Sequence, residues 1–568
     1  MRDEKINNSL QSCDPGSTSS QVKPPGAPPR WLILGEIALI FAVFYLQGAW
    51  PAPDVNEPYY LGKAIHYWNP RWAAGDFFLQ TNDTHQVFYF TFGWLSLLLT
   101  PAALAWAGRL TAWWLLAWSW RRLSFALLPR RGWSVVTAAL FAVLQERCSM
   151  AGEWVIGGIE AKVFAYVFIF LGLECFVRNL WNFTWLLFGA AAALHVLVGG
   201  WAVVATGLSW LLIGRERPRL GALWPGLLAG FILALPGLLP ALLLNISSAT
   251  ATIRQANQIY VFERLPHHLN IFQMNPEFIL RFLLLTAFFF VLCWRILLKK
   301  KYPPPSEKRS LLSTICNLQP KSPLPAEAID SALYRLSVFV SGSLIIVLAG
   351  AAINLLVFFD CDLAAAGLRY YWFRLADVTV PLAVAILGCW WFRQTWRYRP
   401  VISCFIAAFV GLGIIGHFAD LLLLRMPPAA ARADRLPNPQ AWREACLWAA
   451  HEGHTPPTAR FITPRLAQTF KWYAGRAEVA NWKEVPQDAA DIVEWWTRMQ
   501  DLFAADGSDP QYRWRQSLNE LGARRLKELG EKYQAGYVIT ATISPPLDLE
   551  IVYQNESYTI YRLPSAEP

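Results

Sequence analysis

An α-helical, multi-pass membrane protein with a small soluble α/β domain at its C-terminal end is the fold class this sequence predicts. Three observations lead there. Apolar runs close to the twenty residues needed to cross a bilayer recur from Trp31 to Leu424. Hydrophobic residues make up 55% of the 568 and charged ones only 16%, where an ordinary soluble domain carries about 25% charged residues. Beyond residue 426 the chain turns polar and alternates short helix-like and strand-like patterns. The net charge of +10 sits largely in short connectors between apolar runs. It therefore marks orientation in a bilayer and not affinity for nucleic acid.

Residues 1–30, rich in Ser, Pro, Gly and Gln, read as a disordered cytoplasmic tail. The first crossing is 31–50, and a loop dense in acids and aromatics follows it. The apolar segment 87–106, broken at Thr100-Pro101, is expected to lie along the outer face as a juxtamembrane helix. The next crossing, 110–128, then delivers Arg121, Arg122, Arg130 and Arg131 to the cytoplasm. Further crossings are expected at 133–145, 162–177, 180–197, 199–213, 220–244, 278–297, 334–359, 377–391 and 400–424. That makes about eleven, with the N-terminus inside and the basic connectors facing the cytoplasm. The membrane part is 31–426, containing a first outer loop at 51–109 and a Pro- and Lys-bearing cytoplasmic connector at 298–333. The extracytoplasmic domain is 427–568, with helices at 440–452, 489–503 and 517–533. Its strands are expected at 459–462, 537–540, 549–553 and 558–563, the last two joined by the turn Gln554-Asn555-Glu556-Ser557. The 9 Cys show neither a CxxC pair nor a disulfide framework, and no metal site is indicated.

On this topology the unusual residues converge on the outer face. The first loop offers Asp54, Glu57, Tyr59, Tyr60, Asp76, Asp83 and His85. The second holds Gly152-Glu153-Trp154 and Gly157-Gly158-Ile159-Glu160-Ala161-Lys162, where the glycine pair allows a sharp bend that presents Glu160 and Lys162. A later loop carries Arg264, His267 and His268. The last carries Arg369-Tyr370-Tyr371-Trp372-Phe373-Arg374. Each has a plainer reading: a solvated ion pair for Glu160 with Lys162, headgroup anchors for Arg369 and Arg374, a packing role for His195. Together they suit transfer from a lipid phosphate. A carboxylate takes the acceptor proton while guanidinium groups hold the leaving phosphate.

The membrane part resembles the polyprenol-phosphate-dependent glycosyltransferases of the GT-C fold, including the protein O-mannosyltransferase and lipid A aminoarabinose transferase types. The matching stretches are Asn56-Glu57-Pro58-Tyr59-Tyr60, the segment from Thr84-His85 through Arg109, Glu160, and Arg369-Tyr370 through Pro381. The whole chain also resembles a family of uncharacterised bacterial multi-pass membrane proteins, through Asn56-Glu57-Pro58-Tyr59-Tyr60-Leu61, Gly75-Asp76-Phe77-Phe78-Leu79 and His195-Val196-Leu197-Val198-Gly199-Gly200-Trp201. At position 56, Asn stands where the transferases usually carry Asp.

The resemblance implies an inverting glycosyltransferase in a bacterial plasma (inner) membrane. It would move a sugar from a polyprenyl-phosphate donor to a glycan, lipid or protein acceptor on the outer side of the bilayer. Glu57 is then the expected base, with Asp54 and Glu160 as further acids. Arg369, Arg374, Tyr370 and Lys162 are expected at the donor phosphate; Tyr59, Tyr60, His85, Arg264, His267 and His268 are expected at substrate. A divalent metal is an open option for cofactor. The rival readings are a lipid or solute transporter and a non-catalytic envelope protein on a degenerate transferase scaffold. No convincing internal repeat favours the transporter, and Asn56 favours the scaffold.

Overall fold

A computed structural model describes residues 29–301, 326–426, 430–505 and 513–564. The expected N-terminal tail and most of the connector around 298–333 lie outside the described residues.

Among the described residues, six helices are long and apolar enough to cross a membrane: Arg30–Gly48, Leu220–Leu243, Pro276–Leu298, Ala328–Phe358, Arg374–Trp396 and Pro400–Leu424. Between them run Pro101–Leu127, Trp133–Cys148, Ala161–Val177, Trp181–Leu194 and Val196–Leu212, which are shorter or more charged but pack into the same bundle. Their shared core is aromatic: Trp120 stacks on Phe141 with centroids 4.5 Å apart and meets Phe170 edge-on at 5.6 Å. Helices Trp181–Leu194 and Leu220–Leu243 touch through backbone. A Cβ on Gly230 would lie 2.4 Å from the carbonyl oxygen of Trp185, so only glycine permits this approach.

One expectation about the bundle is corrected. Segment 87–106 is not a single juxtamembrane helix. Helix Gln86–Gly93 passes into a 3-10 turn, Trp94–Leu97, and the chain breaks there. Thr100 then accepts a hydrogen bond from the Ala103 amide, and Pro101 occupies the first turn of the 27-residue helix Pro101–Leu127. A capping threonine followed by proline is a helix start, so this long helix begins nine residues before the expected crossing.

The ends of the bundle differ in charge chemistry. At one end, Glu36 pairs with Arg121 at 3.0 Å and accepts the Gly132 amide at 2.7 Å. Glu174 there holds Arg122 at 2.6 Å and Arg178 at 3.1 Å. These are the acids that interrupt otherwise apolar spans, and each is neutralised beside the basic connectors. The opposite end carries the acidic loops and meets the C-terminal domain.

That domain is a five-stranded sheet with order β2-β1-β3-β5-β4, made of β1 (Arg460–Ile462), β2 (Ala477–Glu478), β3 (Tyr537–Ala541), β4 (Glu550–Gln554) and β5 (Tyr558–Arg562). β1 runs parallel to β2 and β3, while β3, β5 and β4 are antiparallel. Neighbouring residues face opposite sides of the sheet. Phe461, Ile539 and Ile560 pack with Trp442 of helix Pro439–Ala450, and Ile462, Val538 and Tyr561 pack with Met499 and Leu526 of helices Ala489–Phe503 and Gly522–Tyr533. The Asn555 side chain closes the last hairpin by accepting the amides of Ser557 and Tyr558 at 3.0 and 2.8 Å.

Candidate functional site

The loop 149–160 is the scaffold on which the site is built, and three buried carboxylates hold it. Asp377, in the first turn of helix Arg374–Trp396, accepts the amides of Met150 at 2.7 Å, Ala151 at 2.8 Å and Glu153 at 3.3 Å. Asp54 accepts the Gly158 amide at 2.8 Å, and Glu57 the Ile159 amide at 2.9 Å. Gly158 is needed for this close approach: a Cβ there would lie 2.7 Å from Cβ of Asp54 and 3.1 Å from Cγ of Glu57.

Glu57 and Asp54, the acids expected at substrate, lie outside the cavity lining and each pairs with an arginine. Glu57 is fully buried against Arg109, whose Nε and Nη2 each lie 2.6 Å from a different carboxylate oxygen. It also accepts the Asp54 amide at 2.7 Å, so its acceptor positions are filled by protein. Asp54 is held in the same way by Arg432, at 2.7 and 2.6 Å. Burial works against the charge on Asp54, yet the Arg432 guanidinium keeps its carboxyl below the ordinary carboxylate range. The sequence places both acids correctly in the loop but cannot show the two arginines that claim them.

Beside this scaffold lies a cavity of about 950 Å³. Its acids are Glu153 and Glu160. Glu160 accepts from the Asn56 side-chain amide at 2.6 Å and faces the Lys162 ammonium at 3.3 Å. Burial raises its carboxyl above the ordinary range, with Lys162 and Asn56 pulling the other way. Glu153 receives Arg374 Nε at 2.9 Å and lies 3.6 Å from Lys162 Nζ, while its other oxygen is buried without a hydrogen-bond partner among the described residues. Arg374 lies over the Tyr371 ring at 3.9 Å and reaches Nε2 of His195 at 3.4 Å. Tyr59, Tyr60 and His85 line the adjoining wall, the His85 ring 5.2 Å from Tyr60 and 5.0 Å from His195.

Arg264 and Arg369 reach the cavity differently from expectation. Arg264 donates to the carbonyl of Trp482 at 2.8 Å, and Arg369 to that of Gln487 and to Asn257 Oδ1 at 2.8 Å. Both guanidinium groups thus dock the segment 482–487 of the C-terminal domain against the membrane part. That segment supplies lining residues the sequence did not reveal, Lys483, Val485 and Gln487. Gln487 accepts from the Thr84 amide and hydroxyl at 3.1 and 2.9 Å. Lys483 makes no ion pair among the described residues, and burial together with nearby Arg264 pushes its ammonium down to about 7. Tyr370 lines the rim, half exposed.

The two histidines separate. His268 lines the cavity and bonds through Nδ1 to the Ala151 carbonyl, with burial and the neighbouring His267 pushing it down to about 3. His267 lies against it from outside the lining, the rings tilted at 46° with centroids 4.0 Å apart. The remaining wall is apolar: Val196, Leu197 and Val204 on one helix, Leu238, Ala241 and Leu242 on the next. Val204 and Leu242 are exposed, so the cavity runs from charged groups to an open apolar side.

A divalent metal finds no donor set here. Among the described residues no group of three or more His, Cys, Asp or Glu is arranged to hold one. The cavity's two carboxylates already share the Lys162 ammonium.

Residues 440–502, which include the docking segment, match the family described as "Domain of unknown function (DUF6798)". No curated protein matches the chain significantly. Among solved structures the chain is similar to the Archaeoglobus fulgidus oligosaccharyltransferase tethered with an acceptor peptide. That match is 12% identical, covers 90% of this chain and 69% of the other, and has a TM-score of 0.45. It is also similar to ArnT from Cupriavidus metallidurans in the apo state, at 13% identity, 94% and 97% coverage and a TM-score of 0.34. The same protein bound to undecaprenyl phosphate matches at 11%, with the same coverages and a TM-score of 0.32.

Proposed function

We propose that the chain is an inverting, membrane-embedded glycosyltransferase that takes a sugar from a polyprenyl-phosphate donor and passes it to an acceptor on the outer face. One observation carries this: a single cavity joins an apolar, bilayer-facing wall to buried cations and a buried carboxylate. The prenyl chain lies against Val204 and Leu242, and the phosphate sits among Arg374, Lys162 and Lys483. Tyr59 and Tyr60 give the sugar a flat aromatic wall. Glu160 replaces Glu57 as the base. The acceptor hydroxyl attacks the anomeric carbon, the carbon–phosphate oxygen bond breaks with its electron pair on the phosphate, and Glu160 takes the hydroxyl proton. The basic end of the bundle faces the cytoplasm, which puts the cavity and the C-terminal domain outside. Asn56 fits this reading, because its side chain orients Glu160 directly. Purified protein incubated with a panel of radiolabelled polyprenyl-phosphate sugars should release lipid phosphate with one of them. Release with none would favour the scaffold reading.

Lys483 gives the reading a pH signature. A phosphodiester keeps its single charge across neutral pH, whereas the Lys483 ammonium loses its own near 7. Arg264, Lys162 and Arg435 disfavour the charged amine, and Glu160 favours it. Donor affinity should therefore fall as the pH rises from about 6 to about 8.5, and Lys483→Arg, charged throughout, should flatten the profile. A wild-type affinity independent of pH would remove Lys483 from the phosphate site.

For Arg374, flat guanidinium geometry matters beyond charge, because it bonds Glu153 and stacks on Tyr371 at once. Arg374→Lys should thus weaken donor binding nearly as much as Arg374→Ala. Full binding by the lysine variant would reduce the residue to a general attraction.

A further inference from the structure

We propose that Lys162 is the resident cation of the cavity, standing where a divalent ion would have to bind and holding Glu160 in position without one. The ammonium lies 3.3 Å from a Glu160 oxygen and 3.6 Å from a Glu153 oxygen. All three side chains are buried, and the Trp154 ring lies 4.2 Å from the ammonium and closes that side. The carboxylates cannot drift apart, because the loop between them is fixed at one end by Asp377 and at the other by Asp54 and Glu57. Arg374 neutralises Glu153 alone. Without Lys162, Glu160 would keep the neutral Asn56 amide as its hydrogen-bond partner, with no ion pair among the described residues and Lys483 acting only from further off.

Two buried carboxylates that converge on one point require a positive charge there. An ammonium and a hard divalent ion meet that need in different ways. The ion draws oxygens to about 2.0–2.6 Å and needs several of them. A lysine spans longer distances, brings its own charge, and fills the space with its stem. The unpartnered oxygen of Glu153 is therefore available as a ligand to a cation that replaces the lysine. Toward Glu160, Lys162 is a positioning residue, in addition to its place among the cations at the phosphate.

Shortening the side chain should convert this arrangement into a metal site. In Lys162→Ala the vacated volume and both carboxylates become available, whereas Lys162→Met refills the volume without charge. Mn²⁺ binding to detergent-purified full-length protein, followed by electron paramagnetic resonance, should show no saturable site in wild type. Lys162→Ala should bind one equivalent at least about tenfold more tightly than wild type or Lys162→Met, in line with the effect of altering groups around a metal. This arm is independent of the transferase reading. The activity arm rests on it: wild-type transfer should resist chelator, and Mn²⁺ should restore transfer to Lys162→Ala but not to Lys162→Met. Saturable Mn²⁺ binding by wild type that disappears in Glu160→Gln would overturn the proposal, even if neither lysine variant folds. Folded Lys162→Ala that binds Mn²⁺ no better than wild type would overturn it equally. Failure of wild type to turn over any donor would sink the transferase reading and leave the Mn²⁺ result to decide the role of Lys162.

Discussion

Glu160→Gln should lower turnover by about 10²-fold or more, the scale on which a general base contributes, while the protein still folds and inserts. The glutamine keeps an oxygen for the Asn56 amide and the same volume beside Lys162, so packing changes little. What disappears is the ability to accept a proton. Glu160 is suited to that task because burial raises its carboxyl while Lys162 keeps it ionisable, and because it lines the cavity where an acceptor hydroxyl would approach. The variant's affinity for donor should stay within a few-fold of wild type, since the phosphate cations are untouched. Wild-type turnover in Glu160→Gln, measured on whichever donor proves active, would remove it from the mechanism and leave Glu153 as the remaining carboxylate of the cavity.

Arg109→Met should cost about 3–5 kcal/mol of stability, the usual consequence of stripping one partner from a buried ion pair. Both side chains of the pair with Glu57 are fully buried, and Arg109 also bonds the Trp50 carbonyl. Removing the guanidinium leaves a carboxylate with no route to water and loosens its hold on the Ile159 amide. The loss should thus reach the cavity through loop 149–160. Thermal unfolding in detergent should fall well below wild type, and Glu57→Met combined with Arg109→Met should recover much of the loss, because no lone charge is then buried. An unchanged melting temperature in the single variant would mean that water or another cation reaches Glu57.

The helical architecture was legible because apolar runs of bilayer length need no partner to be recognised. Its largest misplaced boundary arose at Thr100-Pro101, where proline breaks a preceding helix and starts a following one. The two-residue β2 was too short for any pattern to announce. Within the site, Glu160, Lys162, Arg374, Tyr59, Tyr60 and His85 are brought to one cavity, since loops at one end of a bundle converge. The arginine pairings of Glu57 and Asp54 were not legible, because a conspicuous acid beside a span reads alike whether it faces substrate or a buried arginine. Arg109 sits mid-helix and Arg432 nearly four hundred residues away, so neither pairing has a local signature. Lys483 and Gln487 lie in a polar domain with no motif, and only the docking of Arg264 and Arg369 onto it reveals their place. Glu153 did carry a signal, an acid flanked by Gly152 and Trp154 in an outer loop, which gained meaning only once Arg374 was seen beside it.

On the proposed function, this cavity holds a polyprenyl phosphate with its chain between helices Val196–Leu212 and Leu220–Leu243 and its phosphate at Arg374. Photo-crosslinking with a polyprenyl phosphate bearing a photoreactive group near the phosphate end of the chain, followed by peptide mapping, tests it most directly. Labelling should be confined to those two helices, centred near Val204 and Leu242, and strongly reduced in Arg374→Ala. Labelling spread evenly over the exposed helices, Pro400–Leu424 included, and unaffected by Arg374→Ala would contradict it.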